Sequence, residues 1–92
     1  MVKIKLDDQL RVFTNFEKTV FSDGSNLEVI LEDLIIKFPR LGRYLIDKYG
    51  KLRSFIRILV HGKDIDHLKL SKVRVKQNTV IYIRSGYQAS GL

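Results

Sequence analysis

A chain of 92 residues, 45% of them hydrophobic, can bury one core but leaves no room for a deep catalytic cleft beside it. It contains no cysteine, which excludes disulfides, thiolate zinc sites and a cysteine nucleophile; its two histidines, His61 and His67 with Asp64 and Asp66 between them, make a poor metal site. The net charge of +7 suits an anionic partner without choosing among nucleic acid, an acidic protein and an anionic cofactor.

At the start of the chain Val2, Ile4 and Leu6 alternate with Lys3 and Lys5, the period-two pattern of a half-buried strand. Asp7-Asp8 interrupt it. Leu10 to Phe13 reads as a second extended piece that continues the first past a bulge, and Glu17 to Phe21 as the return strand after Thr14-Asn15, so a hairpin is predicted. Ser25 and Glu28 have the spacing of a capping box, in which the hydroxyl accepts from an amide in the first turn and the carboxylate reaches back. Leu27, Ile30, Leu31, Leu34, Ile35 and Phe38 then share one helical face, and Pro39 should stop the helix near Lys37.

Leu41 to Tyr49 predicts a shorter helix or turn ended by Gly50. Phe55-Ile56-Arg57-Ile58-Leu59-Val60 is too apolar for an edge and predicts a central strand. His61-Gly62-Lys63 turns the chain into a short return element at Asp64-Ile65, and Asp66 to Lys72 is a polar connection pinned by Leu68 and Leu70. Val73 and Val75 lead to a turn at Lys76-Gln77-Asn78, after which Thr79 to Arg84 forms the last strand. There is no run of about 18 apolar residues, and Met1-Val2-Lys3-Ile4-Lys5 lacks the apolar region of a signal peptide, so a cytoplasmic protein with no membrane contact is expected.

This order of elements suits an α+β fold, a single mixed sheet of four to five strands with one main helix packed across a face and a second short helix. Residues 1–84 make one domain and residues 85–92 a flexible C-terminal tail. If the first and last strands lie side by side, the tail leaves from the centre of the sheet. Charge is uneven along the chain: residues 1–36 carry four basic and seven acidic side chains, and residues 37–76 carry twelve and three. In that basic half Lys51, Arg53, Arg57, Lys63, Lys69, Lys72, Arg74 and Lys76 suit phosphate contacts, with Tyr44, Tyr49 or Tyr82 for stacking. No signature of interleaved aromatics and glycines accompanies them.

The run Phe38-Pro39-Arg40-Leu41 through Tyr44-Leu45, followed by Gly50-Lys51-Leu52-Arg53-Ser54-Phe55-Ile56-Arg57-Ile58-Leu59-Val60-His61-Gly62-Lys63-Asp64-Ile65, resembles the MoaD/ThiS group of sulfur carriers. The likeness extends over nearly the whole chain. It implies the β-grasp, ubiquitin-like fold, in agreement with the element order. It also implies a protein that is no enzyme itself but acts through its C-terminal end with partner enzymes. In that group an E1-like adenylating enzyme, using ATP and a sulfur donor, converts a terminal Gly-Gly carboxylate to a thiocarboxylate. The sulfur then serves molybdopterin synthase through its large subunit, thiazole synthase or tRNA thiolation; in the protein-modifier branch the carboxylate is joined to lysine.

Here the end reads Ala89-Ser90-Gly91-Leu92, with one glycine and a leucine after it, and Arg84-Ser85-Gly86 replaces the usual proline-containing approach. Three expectations stay open. A peptidase removes Leu92 and exposes Gly91 as the reactive end; a relaxed partner accepts the tail as it stands; or the chain is a non-conjugating β-grasp module that binds protein or nucleic acid through its basic surface. Gly86 is the expected tail hinge because it lacks Cβ. Phe55, Arg57, Leu59, Tyr82 and Arg84 are the candidate docking residues for the activating partner. Strand alternation must send some of these inward, and Arg57 and Arg84 are the ones expected outside, because burying an unpaired guanidinium is costly.

Overall fold

The computed structural model of the protein describes residues 1–86; the expectations for Gly91 and Leu92 fall outside the described residues. Val2–Leu6 (β1) is the predicted first strand, and its burial alternates, with Val2, Ile4 and Leu6 inside and Lys3 and Lys5 outside. The next piece corrects the extended reading of Leu10 to Phe13. Asp8–Arg11 is one helical turn (α1), followed by a 3-10 turn at Val12–Thr14. Leu10, Phe13 and Thr14 have helical spacing, and here it prevails over the period-two reading: Leu10 and Thr14 are buried and Phe13 packs on the core. Asn15 and Phe16 then take left-handed backbone angles, φ 54° and 64°, and the return strand Thr19–Ser22 (β2) begins two residues later than predicted.

The main helix, Leu27–Lys37 (α2), ends where Pro39 requires. Its N-cap is Asn26 rather than Ser25: the Asn26 side chain accepts from the Val29 amide at 2.9 Å. The shift has a tertiary cause. The Ser25 carbonyl accepts from the Val75 amide at 2.8 Å and Asn26 bridges to Arg74, so the backbone before α2 is committed to the 73–75 segment. Pro39 opens the second helix as its first residue, giving Pro39–Leu45 (α3) in place of the predicted Leu41 to Tyr49. At Gly42 a Cβ would lie 2.9 Å from the Ile35 side chain, so glycine is what lets α3 cross α2 at this distance. Beyond α3 the Asp47 carboxylate accepts from the amides of Tyr49 and Lys51 and closes the turn.

Ile56–Val60 (β3), Lys63–Asp64 (β4) and Val80–Ser85 (β5) complete a five-stranded sheet in the order β2-β1-β5-β3-β4. The expectation that first and last strands are neighbours is met, since β1 and β5 run parallel with Ile4 beside Ile81 and Leu6 beside Ile83. β5 is thereby central, paired on its other side antiparallel to β3. Leu27, Ile30, Leu31 and Leu34 of α2 and Leu41 and Leu45 of α3 pack with the inward residues of the sheet as one core. Full burial of each such side chain contributes roughly 1.5–3 kcal/mol of transfer free energy. Both helices lie on one face, and the other face is left open.

Replacing the cap by Asn26→Ala is expected to lower unfolding free energy by about 1 kcal/mol, read as a lower denaturant midpoint at unchanged slope. Two carboxylates contribute to the acid limb of stability. A hydrogen bond from Lys37, and then one from the Ser22 hydroxyl, hold the Asp33 pKa below its ordinary value, and the Lys51 amide does the same for Asp47. A pKa depressed by folding stabilises above the unfolded value of about 4 and loses that contribution as pH falls through the folded value. Melting temperature should therefore hold down to about pH 5 and fall below about pH 4, and the fall should be shallower in the Asp33→Asn and Asp47→Asn variants, whose amides accept hydrogen bonds without titrating.

Candidate functional site

Alternation along the strands decides what the open face displays. With Val2, Ile4 and Leu6 inside, Lys3 and Lys5 project from it; with Val20 and Ser22 inside, so do Thr19 and Phe21. In β3 and β5 the same rule sends out Arg57 and Leu59, and Val80, Tyr82 and Arg84. Register then arranges these side chains in rows across the sheet. One row runs Thr19, Lys5, Tyr82, Leu59, Asp64. A second joins Phe21, Lys3 and Val80, and a third sets Arg84 opposite Arg57.

The centre of this face is apolar and its surround is basic. Tyr82 is 46% exposed and Phe21 42%, with half-buried Leu59 and Val80 between β1 and β4. The Lys5 ammonium lies 5.7 Å from the centre of the Tyr82 ring, a cation–π arrangement. Arg57 and Arg84 are like charges directly opposite each other, which weakens a ladder unless relieved. Asp64 supplies the relief for Arg57 through a direct ion pair. Arg84 forms no ion pair with the described residues.

Four of the five candidate docking residues, Arg57, Leu59, Tyr82 and Arg84, thus come together on one face. Phe55 does not join them. It precedes β3, escapes the alternation of that strand, and packs edge-on against Tyr44 at 5.7 Å between ring centres, partly buried on the core. Phe13 stacks on the other side of Tyr44 at 5.1 Å. The Tyr44 hydroxyl lies 3.2 Å from that of Ser85, and the Ser85 amide donates to the Asp7 carboxylate at 3.2 Å. These residues hold the end of β5 in place. Gly86 continues the ladder by donating to the Phe55 carbonyl, and a Cβ there would sit 2.9 Å from that oxygen. Glycine at this position is thus explained by close approach.

Lys3, Lys5, Phe21 and Val80 are absent from the sequence-derived set although they complete the face. Lys3 and Lys5 were visible as the outward half of an alternating strand, but only the parallel β1–β5 pairing brings them to Tyr82. The basic residues proposed for phosphate contact disperse: Arg57 is on the open face, Arg53 donates to the Arg43 carbonyl, and Lys51 lines a groove beside Glu28 and Glu32 on α2. His67 sits with its Nε2 2.7 Å from the Ile56 carbonyl. Among the described residues no group of three or more His, Asp and Glu is placed to hold a metal ion, and no helix is long and apolar enough to cross a membrane.

No protein-family model and no curated protein matches this chain. Solved structures do. The small archaeal modifier protein 1 from Methanosarcina acetivorans matches with a TM-score of 0.81 at 26% identity, over 96% of this chain and 94% of that one. A chain of the BexX/CysO complex from Amycolatopsis orientalis matches with a TM-score of 0.83 at 22% identity, over 97% and 99%. Urm1 from Sulfolobus solfataricus matches with a TM-score of 0.67 at 25% identity, over 90% and 97%. The protein is therefore a ubiquitin-like β-grasp protein. Its structural neighbours are the small sulfur carriers and archaeal modifiers that the sequence resembles.

Substituting Gly86→Ala forces the new Cβ against the Phe55 carbonyl and should open the last rung between β5 and β3. Amide exchange at position 86 is expected to accelerate, with a loss of global stability of about 1 kcal/mol or less.

Proposed function

We propose that this protein is a ubiquitin-like sulfur carrier or protein modifier. In this reading it docks an E1-like adenylating enzyme with the open face of its sheet and presents the segment after β5 to that enzyme's chemistry. The observation that carries the proposal is the course of β5. The strand is central, its end is tied to Asp7, Tyr44 and Phe55, and it delivers the chain beside an apolar patch with a basic surround. The partner's matching surface then has an apolar centre and an acidic rim, since charge complementarity sets orientation and encounter rate. ATP and the sulfur donor are bound by that partner. Thiocarboxylate consumers such as the large subunit of molybdopterin synthase or thiazole synthase, or lysines in the modifier branch, are the proposed acceptors. That a fold relative is found in a two-protein complex, BexX/CysO, supports a partnership of this kind.

The reactive carboxylate is assigned to Gly91 after a trimming peptidase removes Leu92. A glycine end threads a narrow channel that a leucine side chain obstructs. Intact mass spectrometry of the natively expressed protein, with its activating enzyme, ATP and a sulfur source, tests this. The expected result is loss of the Leu92 residue mass, followed by the gain that accompanies replacement of one carboxyl oxygen by sulfur. Only full-length, unmodified protein under conditions that activate a control carrier would make it a binding module instead. In the same assay Arg84→Glu should slow activation by about tenfold or more through lost electrostatic steering, with melting almost unchanged because the side chain is exposed.

A further inference from the structure

A second feature of the open face is a cavity of about 530 Å3 at the end of β1 and β5, lined by Lys5, Lys18, Thr19, Tyr82 and Arg84 together with Asp7 and Arg11. Its one lining acid is hydrogen-bonded. The Asp7 carboxylate accepts from the Ser85 amide, and Asp8, the carboxylate next to it, pairs with Arg11 at 2.5 Å. Of its cations Arg11 is thus paired, whereas Lys5, Lys18 and Arg84 form no ion pair with the described residues. Arg84 is moreover opposed directly by Arg57, and Lys5 and Lys18 come from β1 and from the turn that precedes β2. Three like charges around one concavity repel one another in the free protein. Within the described residues the relief is partial: Lys5 lies over the Tyr82 ring, and the single Asp7 carboxylate lines the same space. Thr19 and Tyr82 line the same space, and each carries a hydroxyl that can act as a neutral donor.

We propose that this cavity is a phosphate-binding site, taking a dianionic phosphate group that Lys5, Lys18 and Arg84 neutralise together and the Thr19 and Tyr82 hydroxyls orient. A phosphate monoester or pyrophosphate fits the charge, since one carboxylate leaves the three cations under-compensated, and charge-assisted hydrogen bonds to phosphate oxygens are the strong kind. The exposed Tyr82 ring is the one flat apolar wall and would lie against whatever the phosphate is attached to. The site needs no activating partner and no tail chemistry, so it stands or falls separately from the carrier reading.

The test is a titration of the full chain, followed by two-dimensional amide NMR at fixed ionic strength, with sodium phosphate, pyrophosphate, AMP and adenosine as probes. The expected result is saturable shifts confined to Lys5, Lys18, Thr19, Tyr82 and Arg84. Pyrophosphate should bind about fivefold or more tightly than phosphate, and a Lys5→Gln, Arg84→Gln double variant should weaken it about tenfold or more. A Lys69→Gln, Arg74→Gln control, altered on another part of the surface, should bind as the parent does. AMP tighter than phosphate assigns the Tyr82 wall to a nucleoside, and AMP equal to phosphate assigns the site to the phosphate group alone; either supports the proposal. Shifts spread evenly over Lys3, Lys69 and Arg74, or binding unchanged in the folded double variant, would overturn it.

Discussion

The parallel pairing of the first strand with the last is the contact on which the rest of this molecule depends. β1 and β5 come from opposite ends of the described chain, and their union places Ile4 beside Ile81 and Leu6 beside Ile83 in the buried core. Backbone bonds extend the pairing at both ends, from the Lys3 amide to the Thr79 carbonyl and from the Asp7 amide to the Ile83 carbonyl. A parallel neighbour cannot be reached by a hairpin; it requires a crossover, and here the crossover comprises both main helices and three further strands. The closure entropy of that long loop is met only when the core forms beneath it. Local signals make α2, but this pairing makes the domain.

Once β5 is central, much of the surface chemistry follows without further choice. A strand flanked on both sides has its backbone groups paired, so its outward side chains, Val80, Tyr82 and Arg84, stand in the middle of the open face. Their neighbours are fixed by register: a slip of one residue would exchange Tyr82 and Arg84 for Ile81 and Ile83 and turn the core outward. The buried isoleucines therefore hold the open face in place as firmly as any contact on it. The supports at the end of β5 act in the same way, because Asp7 and Tyr44 bond Ser85 from two different elements.

Where sequence patterns failed, two local rules were both satisfied and a distant contact decided. Ser25 and Asn26 are equally good caps, and the Val73–Val75 segment, by pairing with the backbone in front of α2, selects Asn26. Pro39 stops one helix and suits the first position of the next; only the second role reveals that α3 starts at once. Leu10 to Phe13 is too short for periodicity to separate strand from helix, and the buried Leu10 and Thr14 settle it. The β-grasp fold was legible because its long elements are strongly patterned, and because the block from Phe38 to Ile65 resembles the spacing of glycines and apolar residues in MoaD/ThiS carriers. The face was legible only in part: alternation within Phe55 to Val60 groups Phe55 with Arg57 and Leu59, but the strand begins one residue later and frees Phe55 to pack on Tyr44.

Charge shows the same dependence most clearly. Along the sequence the N-terminal third is net acidic and the middle strongly basic, which suggests a basic surface built from the middle. In the folded chain the open face draws Lys3 and Lys5 from the acidic third, Arg57 from the middle and Arg84 from the last strand. Three of the seven acids of the N-terminal third are engaged locally: Asp7 by the Ser85 amide, Asp8 by Arg11, Asp33 by Lys37 and Ser22. A segment whose formal charge is negative thus contributes to a basic face, because strand pairing gathers Lys3 and Lys5 onto it while local contacts engage three of the carboxylates. Net charge by segment measures what the chain carries, whereas the potential at a surface is set by which charges the ladder brings together and which the fold has already paired.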